Sequence, residues 1–306
     1  MIGGGIGGLA AAVSLLRAQF EVDVYEQALQ LNEVGGGINM APNAVCVLHR
    51  LGFAEGLDRE GVRPRFTHQR RWQDGRTLQR SPLNPLCEEL YGAPHMTIHR
   101  ADLLAVIASG FPTERVHLGH RLVGLADRGN VVEAWFDNGA RITADVLVGA
   151  DGIHSSVRAA LFGEKDPAFA GCVAYRGLVP VERIADLGLE LGNQSWVGPG
   201  GHLVHYPVSR GRLLNFVGWT EQDKIVQNGN ANAHDVALRF RQAGRTQARK
   251  RPNLPQTYGM SQLDEITKEQ QRITRQSVNE RSALISTPAT TRSANGNARL
   301  PLHHQA

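Results

Sequence analysis

Gly3-Gly4-Gly5-Ile6-Gly7-Gly8, running into Leu9-Ala10-Ala11-Ala12 and followed by Val22-Asp23-Val24-Tyr25-Glu26, is the stretch that decides the fold. The six opening residues satisfy the spacing G-x-G-x-x-G. In such a turn Gly3 permits the tight bend, Gly5 lets a pyrophosphate approach the backbone, and Gly8 lets the next helix pack closely on its strand. Gly7 sits inside the same turn. The helix that follows offers N–H groups and the positive end of its dipole to phosphates. Glu26 closes the second strand 18 residues after Gly8, where a carboxylate meets a ribose hydroxyl. A glycine turn alone is weak evidence, but turn, helix and terminal acid together predict a dinucleotide site. One feature departs from the pattern: only Met1 and Ile2 precede the glycines, so the first strand is expected to be short by about four residues.

Outward from this unit, glycine-punctuated apolar segments alternate with helical patterns, as in an α/β protein. Helices are predicted over residues 7–18, 43–51 and 155–161, and over 102–108 continuing a helix begun near Arg100. Strands are predicted over 21–26, 116–118, 122–125, 131–136 and 141–143, with a buried strand over 144–149. A strand-rich stretch then covers 173–179, 202–208 and 212–218 with little helix between. The succession implies a parallel nucleotide-binding sheet followed by a separate sheet.

Past about Gln242 the character changes. Only 11 of the last 64 residues are Ile, Leu, Val, Met, Phe, Trp or Tyr, too few to offset the entropy of ordering, so disorder is expected over 243–306. That segment carries 10 Lys+Arg against 4 Asp+Glu, so the basic balance of the chain belongs to it and residues 1–242 hold about −2. A basic segment without interleaved aromatics argues against nucleic acid as a partner. Cys46, Cys87 and Cys172 are far apart and form no C-x-x-C pair, which argues against a zinc site or a disulfide framework and fits a reducing cytoplasm. The longest apolar run, near residues 6–16, is too short to cross a bilayer and has no basic residue before it, so neither membrane span nor signal peptide is expected.

Further segments carry a family resemblance. Val148-Gly149-Ala150-Asp151-Gly152-Ile153-His154-Ser155-Ser156-Val157-Arg158 resembles the Asp-Gly fingerprint of FAD-dependent aromatic-ring hydroxylases. His99-Arg100-Ala101-Asp102-Leu103 and Gly35-Gly36-Gly37-Ile38-Asn39-Met40-Ala41-Pro42-Asn43 resemble two more of their segments. Ala174-Tyr175-Arg176-Gly177-Leu178 and His202-Leu203-Val204-His205-Tyr206-Pro207-Val208 resemble the substrate half of salicylate, 6-hydroxynicotinate and 3-hydroxybenzoate monooxygenases. The resemblance covers about residues 1–240 and implies an α/β fold: a Rossmann-like FAD-binding domain (1–65 and 96–165) interleaved with a β-rich substrate domain (66–95 and 166–242), then the tail. It implies a cytoplasmic monooxygenase, monomer or homodimer, that hydroxylates a small aromatic compound with FAD, NADH or NADPH, and O2, without a metal.

Carried over by position, the resemblance assigns Gly3, Gly5, Gly7, Gly8, Glu26, Gln27, Asn39, Arg100, Leu122, Asp151 and Gly152 to the cofactor. The bland alternative, outweighed by the fit of the surrounding residues to the fingerprint, makes Asp151 the N-cap of the helix after it; for Arg100 it is a surface arginine at a helix start. On a strand, His202, Val204 and Tyr206 share one face. The resemblance makes His202 and Tyr206 the catalytic and substrate-contacting pair, able to accept or relay the ring's phenolic proton. By itself such a pair also fits an ordinary half-buried sheet face. Arg176 suits a substrate carboxylate or a structural ion pair. His117 and His120 show no ligand spacing and are read as solvated or structural. The family's third fingerprint, Gly-Asp-Ala-(Ala or Cys)-His-Pro, is not found, and the pattern ends near Phe240–Gln242. A truncated chain with weakened hydroxylation is therefore expected, or a non-catalytic nucleotide-binding remnant. A plain NAD-dependent dehydrogenase would leave the Asp151 and Arg100 segments without a purpose.

Overall fold

A computed structural model describes residues 1–31 and 35–221. The expectations for 243–306 and for the break near 240–242 lie outside these residues. Along the chain come α1 (Ile6–Arg17), β1 (Val24–Glu26), β2 (Gly37–Met40), α2 (Pro42–Arg50) and α3 (Ala54–Glu60). Next are β3 (Phe66–Arg71), β4 (Thr77–Pro82), α4 (Leu86–Tyr91), β5 (Met96–His99) and α5 (Arg100–Ala108). Then follow β6 (Val116–Leu118), β7 (Leu122–Asp127), β8 (Val132–Phe136), β9 (Arg141–Ala144) and α6 (Ser156–Phe162). The described chain ends with β10 (Cys172–Pro180), β11 (Asn193–Gly198), β12 (Gly201–Val208) and β13 (Leu213–Glu221).

The fold is mixed α/β. Its parallel part is assembled around the short opening strand, which pairs on both sides despite its length. Ile2 bridges in parallel to Tyr25 and to Gly149, and β1 pairs in parallel with β6. Ile2 N donates to Val148 O at 2.9 Å, and Ala150 N to Ile2 O at 2.7 Å. On the other side Tyr25 N reaches Met1 O at 2.9 Å, and Gly3 N reaches Tyr25 O at 2.8 Å. Residue 2 therefore lies between the segments that carry Glu26 and Asp151.

α1 forms because Leu9, Ala12 and Val13 recur on one face of an alanine- and leucine-rich stretch, and that face is buried. Leu9 is fully covered, and burying one such side chain stabilises by about 1.5–3 kcal/mol. It joins Val24, Val45, Leu57, Met96, Ile98 and Ile107 in the core between α1, α2, α3 and α5. A smaller cluster of Ile2, Leu122, Ala134, Phe136 and Val157 ties the opening strand to the antiparallel β7-β8-β9 sheet and to α6.

The second sheet has six strands in the order β10-β13-β12-β11-β3-β4. It draws residues 66–82 across to sit beside 172–221, and the join between β3 and β11 is its one parallel pairing. One face is packed on Tyr175, Trp196, Leu203, Leu214 and Phe216. The other face, bearing Arg176, His202, Tyr206 and Asn215, turns toward the loop at 35–37. The two parts are pinned by side chains: Thr97 Oγ1 donates to Pro207 O at 2.6 Å, and Ser209 Oγ donates to Asp102 Oδ2 at 2.8 Å.

One expectation fails. Residues 144–149 do not form a buried strand: β9 ends at Ala144, the pairing beyond it is the single bridge at Gly149, and Val146 and Val148 are 72% and 38% exposed. A parallel strand is buried when both edges and both faces are covered. Here one edge meets only the Ile2 stub, and no described residue pairs with the other. The strand expected over 21–26 also shortens to β1, because Glu21 and Asp23 stay exposed outside the ladder.

Candidate functional site

The glycine turn, the end of β1, the start of β7 and the Asp151 loop enclose one cavity of about 830 Å³. That volume lies in the upper part of the range for small-molecule sites. Gly3, Gly5, Gly7, Glu26, Gln27, Arg100, Leu122, Asp151 and Gly152 all line it. Gly8 does not, but it lies directly beneath. A β-carbon on Gly8 would run into the carbonyl of Gly3, and one on Gly3, at φ +105°, would run into the carbonyl of Ala150. Bare backbone at these two positions is what allows helix, turn and Asp151 loop to close up.

Electrostatically the cavity suits an anion at one end and hydroxyls at the other. The N-cap of α1 is Gly5, with no side-chain cap and no acid in the first turn, so its N–H groups face the cavity unopposed. Glu26 Oε2 accepts from Gly4 N at 2.6 Å and Oε1 from Ala28 N at 2.9 Å. A carboxylate has about four acceptor sites, so both oxygens retain capacity for ribose hydroxyls. Arg100, at the first turn of α5, is held over the loop by its backbone N–H, which donates to Gly36 O at 3.1 Å.

Asp151 has a structural job of its own. The cap of α6 is Ser155, whose Oγ accepts from Arg158 N at 2.9 Å. Asp151 supports that cap from outside: Oδ1 accepts from Ser155 Oγ at 2.5 Å and Oδ2 from Val157 N at 3.2 Å. Leu122 is buried beside a bulge in β7, which turns its backbone toward the cavity.

Among the lining residues, His120, Arg121 and His154 carry polar side chains that the sequence did not assign to the cofactor. His120 is not merely solvated. Its ring lies edge-on to Tyr25 and Phe136 at 5.6 and 5.2 Å, and its backbone N–H donates to Glu26 O at 2.9 Å. Only the pairing of β1 with β6, more than 90 residues apart, brings it there.

Asn39 is not among the cavity residues. It lies on β2 against the six-stranded sheet, where Asn193 Nδ2 donates to its Oδ1 at 2.8 Å. Nearby, Tyr206 is 4% exposed, and burial pushes its hydroxyl up to about 12 against the opposing charge of Arg176 and a hydrogen bond with Asn39. Arg176 is exposed and passes beside Gly36. His202 stacks on Trp219 at 5.3 Å, and burial lowers its pKa. Tyr206 lies four steps beyond His202, about 13 Å along β12, so the two can serve only opposite ends of a ring. On the reverse face His205 is buried beneath them. Its Nε2 accepts from Trp196 Nε1 at 3.2 Å, and burial, with help from Arg70, lowers its pKa to about 4.

Among the described residues no group of three or more His, Cys, Asp or Glu is placed to hold a metal, and no helix is long and apolar enough to cross a membrane.

Comparison with known proteins gives a consistent picture. The sequence model of a family described as FAD binding domain matches residues 1–173. The 3-amino-4-hydroxybenzoate 2-monooxygenase of Streptomyces cremeus is 40% identical over 216 residues, 71% of this chain and 55% of that protein. The 6-hydroxynicotinate 3-monooxygenase of Pseudomonas fluorescens is 37% identical, over 60% of this chain and 48% of its own length. Klebsiella pneumoniae HpxO, solved with FAD and uric acid, superposes with a TM-score of 0.73 at 26% identity, covering 88% of this chain and 64% of that one. The chain thus spans about half to two thirds of the length of the proteins it matches.

Proposed function

The chain belongs to the FAD-binding-domain family, and from that premise we propose that it acts in an FAD-dependent monooxygenase that hydroxylates a small phenolic or carboxylated aromatic ring using NADH or NADPH and O2. The observation that carries this reading is the single cavity into which the glycine turn and the Asp151 loop both open. Its features fit the cofactor: backbone bare of β-carbons, an uncapped helix start, a carboxylate with spare acceptor capacity, and room for a dinucleotide.

In this reading Gly3, Gly5, Gly7 and the first turn of α1 receive the pyrophosphate, while Gly8 provides the clearance beneath. Glu26 and Gln27 meet the adenosine ribose, and the backbone of Leu122 lies beside the adenine. Arg100, Asp151 and Gly152 complete the grip. Bound FAD would supply the redox and oxygen-activating chemistry. The protein's own part is to hold the ring and move its proton. Arg176 pairs with a substrate carboxylate. His202, kept neutral at pH 7 by partial burial, accepts a proton from a ring hydroxyl at its end of the strand. Tyr206, kept protonated, donates at the other end.

The division into a cofactor unit (1–65 and 96–165) and a substrate unit (66–95 and 166–242) is proposed with the function, and the joining of β3 and β4 to β10–β13 in one six-stranded sheet supports it. A reducing cytoplasm is proposed as well, on the strength of the free Cys46, Cys87 and Cys172, and a monomer or homodimer on the family resemblance alone.

A second reading, cofactor binding without turnover, draws on the exposed Val146 and Val148 on the segment leading to Asp151. One experiment separates the two. The purified chain is titrated with FAD, and NADH or NADPH oxidation is then followed with and without 3-amino-4-hydroxybenzoate. Quenched flavin fluorescence with aromatic-stimulated oxidation and a hydroxylated product supports the monooxygenase. Binding with no stimulation supports the second reading, and no flavin binding sinks both.

A further inference from the structure

A single rung of the six-stranded sheet carries four polar residues side by side. Asn193 pairs with Thr67, and Tyr206 with Asn215. The ladder between β11 and β12, from Gln194 opposite His205 to Trp196 opposite Leu203, places Asn193 one step on, opposite Tyr206. Thr67, Asn193, Tyr206 and Asn215 therefore stand in a row across the face that looks toward residues 35–37. Asparagine is a poor strand former, so two of them beside a tyrosine call for a reason beyond β-propensity.

β2 lies across this rung. Gly37 N donates to Asn215 Oδ1 at 2.6 Å, and a β-carbon on Gly37 would come within 2.5 Å of Tyr206 Cε2. Asn39, two residues further, projects from the same face of β2. Its Oδ1 is occupied by Asn193 Nδ2 at 2.8 Å, with His95 Nε2 at 3.4 Å from the same oxygen. With Oδ1 so occupied, the hydrogen bond by which Asn39 favours the charged form of Tyr206 is one its NH2 would donate to the tyrosine oxygen. A tyrosine hydroxyl has one proton to give, and when its oxygen accepts from a fixed amide that proton must point elsewhere.

We infer that Asn39, oriented by Asn193, is a positioning residue on the substrate side rather than a cofactor residue, and that it fixes the Tyr206 hydroxyl as a donor to an anionic oxygen, phenolate or carboxylate, of an aromatic ligand. This rests on the reading of this sheet face as the substrate wall. Asn39 is exposed while Tyr206 is almost covered, so a ligand approaching Tyr206 passes over Asn39. Arg176, whose charge acts on Tyr206, adds the attraction for an anion. Tyr206 itself stays protonated well above neutral pH, as a donor must.

The test measures equilibrium binding to the FAD-supplemented full chain. The probes are 3-amino-4-hydroxybenzoate, its 4-methyl ether, which keeps the carboxylate, and its methyl ester, which keeps the phenol. The variants are Asn39→Leu, Asn39→Asp and Asn193→Ala, with far-ultraviolet circular dichroism and urea midpoints checking that each folds. Asn39→Leu is expected to weaken the parent acid tenfold or more. It should weaken by the same factor only the derivative that keeps the oxygen met by Tyr206, which also tells phenolate from carboxylate. Asn39→Asp should lose more than Leu, because the new carboxylate claims the Tyr206 proton and repels the anion, and Asn193→Ala should lose less. Equal losses for all three probes, or no loss for any, would overturn the inference while leaving the function intact. Failure of the unaltered chain to bind any probe would remove the substrate wall, and the inference with it.

Discussion

The two halves of the site are built from different materials. The nucleotide cavity is made of backbone: glycines without side chains, a helix start, and a carboxylate that spends its hydrogen bonds on Gly4 N and Ala28 N. The sheet face is made of side chains, with Arg176, Tyr206, His202 and Asn215 delivered from three strands. Backbone sites fail when atoms are added, because a peptide group cannot move aside. Side-chain sites fail when atoms or charges are taken away. This contrast predicts which substitutions hurt each half, and by how much.

The largest effect is expected from Gly8→Ala. The added methyl meets the Gly3 carbonyl, a backbone group locked on both sides by the ladder through Ile2. Overpacking with no room to relax typically costs about 1–3 kcal/mol and sometimes more. Separation of α1 from the turn should also lower FAD affinity by about a hundredfold or more, equivalent to roughly 3 kcal/mol. Urea unfolding and flavin fluorescence titration measure the two losses separately.

The second effect belongs to the sheet. His205 is neutral in the fold because burial, with Arg70 nearby, lowers its pKa to about 4, against 6.5 in an exposed chain. Between these values the unfolded chain binds the extra proton. Stability is therefore full above pH 6.5 and falls as the pH drops toward 4, by roughly 3 kcal/mol at most. His205→Gln should flatten that slope in urea unfolding measured across pH 4–7, whereas a slope unchanged by the variant would assign it to other groups.

How much of each half is legible in the sequence follows the same division. The turn, α1, β1 and Glu26 lie within 26 residues, and the geometry they need is written locally as glycine spacing and a terminal acid. His120 and Arg121 were not legible as cavity residues, because what brings them in is the parallel pairing of β1 with β6. β11 escaped notice for another reason. Its buried positions are Gln194 and Trp196, so a polar side chain occupies an inward place and masks the alternation that marks a strand. Asn39 was assigned to the cofactor by its place in a motif; β2 sets it beside Asn193 of the six-stranded sheet, outside the lining of the nucleotide cavity. The segment 144–149 has the apolar content of a buried strand, but content does not say whether a neighbour is present to cover it.

A smaller effect sharpens the nucleotide half. Glu26→Gln keeps the shape but gives one side of the group an NH2 that must face a backbone N–H. FAD affinity should fall about tenfold, roughly 1.4 kcal/mol, while affinity for FMN, which lacks the adenosine, should change little. Equal losses for both flavins would place the adenosine ribose elsewhere. The smallest effect is a gain. No atom lies within 4 Å of a β-carbon built on Gly7, and the residue is helical, so Gly7→Ala should raise the unfolding free energy by about 0.5–1 kcal/mol. A loss there would mean that the turn tolerates no added atom anywhere.

Hydrogen–deuterium exchange with and without FAD goes to the centre of the matter. If the glycine turn and the Asp151 loop hold one flavin nucleotide between them, amides of residues 3–8 and of 150–157 should slow together and at the same FAD concentration. Protection of one stretch without the other, at a concentration that saturates flavin binding, would contradict it.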